Sequence, residues 1–225
     1  MKLLIGFVAL GLLISGAFLA NLHFVENFAN PELTPNAITL AKYYFYTEPT
    51  TTDRPEYGNG KIKMTIFSNP QSESSRLFIR EVYPELEAEF FSKQKLKLIH
   101  RNHIELTDIK ERNDKFKYAI SLSCVSTNNR QNYHGFYLKL MNGTKIEDAA
   151  KDLGIDMKQL EACMQGEVPN EIYEDAADTK RLGMIGVDPR TYIGIEGIQS
   201  EAIDGVPNYP DLRRRIRNYQ TQIGE

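Results

Sequence analysis

Ser72 and Ser75 stand where an apolar strand gives way to a helix, in the run Met64-Thr65-Ile66-Phe67-Ser68-Asn69-Pro70-Gln71-Ser72-Glu73-Ser74-Ser75-Arg76. A serine at a helix start caps it, its hydroxyl accepting from a first-turn amide, and Glu73 is favourable beside the positive end of the helix dipole. That reading alone accounts for both Ser72 and Ser75. The other chemistry open to Ser72 is nucleophilic, with His100 or His103 as base and Asp188 to orient the imidazole. A strand-helix-strand crossover ends its two parallel strands on one sheet edge, which brings His100 and His103 toward the Ser72 loop. The Gly-x-Ser-x-Gly elbow that exposes such a serine is absent. Metal binding is not expected, because His23, His100, His103 and His134 are scattered and neither Cys-x-x-Cys nor His-Glu-x-x-His occurs. Gly194, Gly197 and Gly205 have the wrong spacing for a phosphate-cradling loop, so no cofactor is expected.

The elements that must position these residues alternate between strand and helix. Ile62, Met64 and Ile66 alternate as in a strand. Leu77, Phe78, Val82, Leu86 and Phe90 lie at helical spacing, with Pro84 expected to bend that helix. Residues 191–197 read as a strand running into a turn, and Asn208 can cap a last helix with Asp211 in its first turn. The order indicates α/β packing with a helical insertion. The chain has 225 residues, 41% apolar and 25% charged, enough for one globular domain with a full core plus appendages. A formal net charge of −3 argues against general nucleic-acid binding. Arg213, Arg214, Arg215 and Arg217 cluster near the C-terminus, either as a solvated helix end or as a contact for a partner or anionic lipid. Asn142-Gly143-Thr144 fits a glycosylation triplet, a pattern common by chance.

Residues 3–20 form an uncharged apolar run after Lys2. Eighteen helical residues rise about 27 Å, close to the thickness of a bilayer core. The run is read as a transmembrane signal anchor (3–21) that contacts lipid; Ser15-Gly16-Ala17 would also suit signal-peptide cleavage. With no Lys or Arg after the run until Lys42, the N-terminus is expected to be cytoplasmic and the remainder to face outward from the cell (inner) membrane. Gly11 and Ser15, on one face with Phe7, are small residues that let an anchor pack on neighbouring membrane subunits. Thr34-Pro35 opens a juxtamembrane helix to about residue 46, whose Tyr43, Tyr44, Phe45 and Tyr46 offer aromatic area for a partner or for the chain's own domain. Residues 47–60, rich in Thr, Pro and Gly, read as linker, so that 22–60 joins the anchor to a domain at 61–218.

Residues 64–76 resemble the active-site segment of the DsbA-like thioredoxin-fold oxidoreductases, in which a strand ending Phe-Ser-Asp leads to Cys-x-x-Cys at a helix start. The resemblance runs over about residues 61–218. Leu96-Lys97-Leu98-Ile99-His100-Arg101-Asn102 is similar to the second strand. Residues 118–140, with Cys124 and the aromatic run Tyr133-His134-Gly135-Phe136-Tyr137, are similar to the inserted helices, and residues 149–164 to the next helix pair. Residues 181–194 match the approach to the cis-proline loop. The resemblance implies an α/β thioredoxin-like fold with an insertion over about 108–180, and a cis peptide before Pro189. It also implies two departures on facing loops: Ser72 and Ser75 stand at the sulfur positions, and Asp188 precedes the proline where a Thr or Val is common. A serine hydroxyl forms no disulfide and holds its proton too tightly to act as a thiolate. The expectation is therefore a chain that is not an enzyme, its redox activity lost, serving as an accessory subunit of an envelope membrane complex. The alternatives are an envelope peptide-binding chaperone, a Ser-His hydrolase, or an oxidoreductase using Cys124 and Cys163. Those two cysteines are expected to be bridged, since exported proteins are oxidised and some DsbA-like proteins join these helices; two buried free thiols are the other possibility.

Overall fold

The computed structural model describes residue 49 and residues 53–195 and 199–224. The anchor at 3–21 with Gly11 and Ser15, and the aromatic stretch Tyr43, Tyr44, Phe45 and Tyr46, lie outside the described residues. Among the described residues, no helix is long and apolar enough to cross a membrane.

Strand β1 (Glu56–Tyr57) is followed by β2 (Ile62–Ser68), whose Ile62, Met64 and Ile66 are all fully buried. Helix α1 (73–91) then returns the chain to β3 (Leu96–Asn102). The helices of the insertion are α2 (Leu106–Glu111), α3 (Asp114–Asn128), α4 (Tyr133–Met141), α5 (Ile146–Asp152), α6 (Met157–Gln165) and α7 (Asn170–Arg181). The chain closes with β4 (Arg190–Ile195), β5 (Gln199–Asp204) and α8 (Tyr209–Gln222). The sheet order is β1-β3-β2-β4-β5. Among the described strands, only β2 and β3 run parallel, as the α1 crossover requires. The architecture is the α/β thioredoxin-like fold with a helical insertion that the sequence led us to expect.

Pro84 does not break α1. The helix passes it by alternating α turns (Glu73–Leu77, Tyr83–Leu86) with π turns (Phe78–Val82, Glu87–Phe91), and the Tyr83 N–H reaches back to the Phe78 carbonyl. The wider turn absorbs the hydrogen bond that proline cannot make. Part of the stretch read as linker is also fixed. Tyr57 pairs with Leu98, and Gly58 and Gly60 pass so close to β3 that a Cβ would fall 2.3 Å from the Leu96 carbonyl oxygen and 2.2 Å from the Lys95 carbonyl carbon. Only glycine permits that approach.

Three chain ends meet at one edge of the sheet. Ser68 pairs with Asn102 across the parallel ladder, and Phe67 pairs with Arg190 on the antiparallel side. The loop before α1, the residues after β3 and the residues before β4 are thereby brought together. A buried ionic cluster fixes this edge to α7. Arg101, 1% exposed, donates through Nε to Asp175 (2.5 Å) and through a terminal nitrogen to Asp178 (2.8 Å). Asp175 also accepts from the Asn102 N–H (3.0 Å) and from Arg54 (2.9 Å). Charges this deeply buried persist only when every lone pair is answered.

Candidate functional site

Ser72 caps α1. Its backbone is extended (φ −81°, ψ 126°) and its hydroxyl accepts from the Ser75 N–H at 3.3 Å. The loop before it is closed by Asn69, whose carbonyl accepts from the Ser72 N–H (2.9 Å) and whose side-chain oxygen accepts from the Gln71 N–H (2.8 Å). Ser75 lies one turn in and is fully buried. Its hydroxyl accepts from the Asn69 N–H (3.2 Å) and donates to Asp188 Oδ1. Both roles of that hydroxyl are filled, so Ser75 is a structural bridge between the two facing loops.

The second loop is held from both sides. Val187 N–H donates to the Met184 carbonyl at 2.8 Å, and Arg190 donates to the Leu182 carbonyl at 2.6 Å while pairing with Asp204. Phe67, Leu182, Met184 and Tyr192 form a small apolar cluster around it. The Asp188–Pro189 peptide is cis. Burial raises the Asp188 carboxyl above its ordinary value, against the hydrogen bond from Ser75, the nearby His103, the hydroxyl of Ser72 and the charge of Lys115.

His103 reaches the site and His100 does not. The His103 N–H donates to the Ser68 carbonyl (3.0 Å), and its Nε2 lies 2.9 Å from the Met184 carbonyl, which can only accept, so that nitrogen carries the proton. The remaining Nδ1 lies 3.8 Å from Asp188. Asp188 does face an imidazole, as the hydrolase reading needs, but the nitrogen that would take a serine proton is committed to the backbone. His100 turns instead toward the insertion. It bonds the Tyr133 hydroxyl (2.8 Å) and packs on Tyr137 with ring centres 4.0 Å apart, and burial lowers its pKa to about 3. Tyr137 in turn bonds Ser68 at 3.1 Å.

The segments that carry the site expose both polar side chains, such as Gln71 and Glu73, and two large apolar ones. Ile185 is 59% exposed and follows the residue that binds His103; Leu106 is 45% exposed at the start of α2, three residues beyond His103. Neither the N–H nor the C=O of Asp188 is paired among the described residues. A main-chain segment with both groups open beside exposed apolar side chains can receive an extended polypeptide. Among the described residues, no group of three or more His, Cys, Asp or Glu is placed to hold a metal ion.

Cys124 on α3 and Cys163 on α6 are joined as a disulfide, with Cα atoms 5.9 Å apart. Cys124 is buried and Cys163 half-buried. They lie within the insertion, apart in sequence from the Ser72 loop.

No protein-family model matches the chain, and no curated protein matches it in sequence. Solved structures do match it in fold. The thiol-disulfide exchange protein alpha-DsbA2 from Wolbachia pipientis has a TM-score of 0.63 at 17% identity, over 81% of this chain and 96% of that one. Oxidised BdbD from Bacillus subtilis gives 0.64 at 14% identity, over 77% and 96%. Chlamydia trachomatis DsbA gives 0.59 at 17% identity, over 78% and 96%. The chain therefore has the fold of the DsbA-family thioredoxin-fold proteins. This corrects the expectation that it is not an enzyme: proteins of this fold include one described as a thiol-disulfide exchange protein. Serines stand at positions 72 and 75, and the disulfide of the described residues, Cys124–Cys163, lies elsewhere in the chain.

Proposed function

We propose that the chain is a membrane-anchored protein of the cell envelope that holds an extended segment of a partner polypeptide along the loop ending at Pro189, as an accessory subunit of a membrane complex. The observation that carries this reading is the open main chain of Asp188 beside the exposed Ile185. Pairing there needs no sulfur, since backbone hydrogen bonds supply affinity and exposed apolar side chains such as Ile185 would select side chains. The anchor at 3–21, with Gly11 and Ser15, and the aromatic residues Tyr43, Tyr44, Phe45 and Tyr46 would hold the protein beside its partner and raise the effective concentration of the groove. Site-specific photo-crosslinking of the full chain in its own membrane tests this. A probe at Ile185 is expected to capture a discrete polypeptide that a probe at the exposed Lys158 does not, and Ile185→Asp in the neighbouring Val187-probe protein is expected to abolish capture. Equal labelling from both positions would contradict the reading.

A second reading is favoured by the fold of the matched exchange proteins and the half-exposed Cys163. The chain has two cysteines, so thiol-disulfide exchange would run through their bridge. An incoming protein thiolate would attack Cys163 Sγ, the bond to Cys124 would break, and Cys124 would leave as thiolate; a second thiol would then resolve the mixed disulfide. Any exchange activity of the full chain is then lost in Cys163→Ala, and activity surviving the loss of both cysteines would contradict this route.

A further inference from the structure

The two lateral edges of the sheet differ. At one, β1 is two residues long, too short to template another strand. At the other, β5 runs six residues in unbroken register with β4, from Ile195 opposite Gln199 to Arg190 opposite Asp204. One bond fixes the phase of that ladder: the Gly205 N–H donates to the Pro189 carbonyl at 2.8 Å, and this pair continues the register. In an antiparallel ladder, opposed pairs that exchange hydrogen bonds alternate with pairs that do not. Glu201 and Ile203 therefore bond to β4, while Ser200, Ala202 and Asp204 turn their N–H and C=O groups away from it. Those outward groups have no main-chain partner among the described residues.

Exposed edges are ordinarily blocked by lysine, by proline, by a bulge or by uncompensated charge. Strand β5, Gln-Ser-Glu-Ala-Ile-Asp, has no lysine or proline, and its register holds no bulge. Its two acids are answered from within the chain. Asp204 accepts from Arg190 (2.9 Å), and Glu201 accepts from Arg215 and from the Tyr219 hydroxyl (3.3 Å). At the centre of the outward-bonding residues stands Ala202, exposed and small.

The strand is also complementary to itself. Turned antiparallel to its own copy about Ala202, it sets Ala202 against Ala202, Asp204 against Ser200 and Ile203 against Glu201. No carboxylate then opposes a carboxylate, which would be destabilising, and no bulky side chain sits on the axis. The three outward residues of each strand supply about six hydrogen bonds.

We propose that β5 is a dimer edge, pairing antiparallel with β5 of a second copy of this chain about a two-fold axis at Ala202, so that one sheet runs through both copies. The contact is isologous and closes on itself. An edge-to-edge contact buries less area than a permanent dimer does, so association is reversible and depends on concentration. It does not depend on polypeptide capture at Ile185.

Sedimentation and disulfide trapping of the full chain in maltoside micelles test it. The mass is expected to rise from monomer to dimer over about 1 to 100 µM. Ala202→Pro should abolish that rise, and because the Ala202 N–H faces away from β4 the ladder within the chain is kept. In an H-bonded pair the two Ala202 Cα atoms lie about 5.5 Å apart, within disulfide reach, so Ala202→Cys should form a covalent dimer under a mild oxidant. Asp204→Cys should not, since the two copies of residue 204 lie about 13 Å apart along the strands, but it should crosslink when mixed with Ser200→Cys. A monomer throughout this range would overturn the proposal. So would equal trapping of Ala202→Cys and Asp204→Cys alone, or an Ala202→Pro dimer. A monomer whose Ala202→Cys thiol is shielded from maleimide would assign the edge to another segment and overturn it too.

Discussion

Two pairs of small polar residues join elements in this molecule, and they do so in opposite ways. In the insertion, Cys124 and Cys163 tie α3 to α6 by a covalent bond. At the sheet edge, Ser72 and Ser75 form no covalent link: the Ser72 hydroxyl only accepts from the Ser75 N–H, and the Ser75 hydroxyl reaches across to Asp188 on the facing loop. The first link constrains the unfolded chain as much as the folded one. The second exists only when both loops are in place, and it can respond to pH. The comparison teaches that the covalent staple and the open main-chain groove occupy different regions, so each can be perturbed without the other.

The largest effect is expected from the staple. Removing a bridge that spans 39 positions should cost the domain about 4 kcal/mol in the chain-entropy model. Urea unfolding of Cys124→Ala/Cys163→Ala, with polypeptide capture measured on the folded fraction, should show lower stability and unchanged capture. Loss of capture at full folding would join the two regions that we separate.

Ser75→Ala is next. It strips the buried Asn69 N–H of its acceptor and the half-buried Asp188 of its donor, and should cost about 1–3 kcal/mol. Ser75→Thr, which keeps the hydroxyl but adds a methyl to a fully buried position, separates the lost hydrogen bonds from crowding. A loss for Ser75→Ala within experimental scatter would mean the loops hold each other by packing alone.

The pH response is smaller and has a defined sign. Asp188 has a folded-state pKa above its ordinary 3.8, so protonation favours the folded form. Its contribution is fully present below 3.8 and is lost as pH rises through the elevated value. His100 and His134 act the other way: their folded pKa values fall from 6.5 to about 3 and about 4, so their contribution is present above 6.5 and is lost as pH falls toward those values. The difference in stability between the natural protein and Asp188→Asn, followed from pH 3 to 7 by thermal melting, isolates the carboxyl. The natural protein should lose ground to the variant as pH rises. A flat difference would show that Asp188 titrates normally.

Much of this was legible in the sequence, for physical reasons that differ by element. The period-two apolar pattern of Ile62, Met64 and Ile66 announces β2, and the cap at Ser72 announces α1. Strand β5, Gln-Ser-Glu-Ala-Ile-Asp, has no such pattern; it is a strand because β4 offers it a ladder. Strand β1 is hidden within a Pro- and Gly-containing stretch, whose glycines serve close packing. At the site, Ser72, Ser75, Asp188 and Pro189 were readable through resemblance, whereas the direction each histidine takes was not. That direction is set by a backbone carbonyl at Met184 for His103 and by the tyrosines of α4 for His100. Arg101 within an apolar strand was the one available signal of the buried ionic cluster, and its partner Asp175 lies 74 positions away.

The central claim, that the Asp188 main chain pairs with a bound polypeptide, is tested most directly by amide hydrogen exchange at Asp188 in the full chain with and without the partner captured at Ile185. The account predicts that the Asp188 N–H, open in the free protein, becomes protected in the complex while the amides around Cys124 and Cys163 keep their rates. Unchanged exchange at Asp188 in a saturated complex would contradict it.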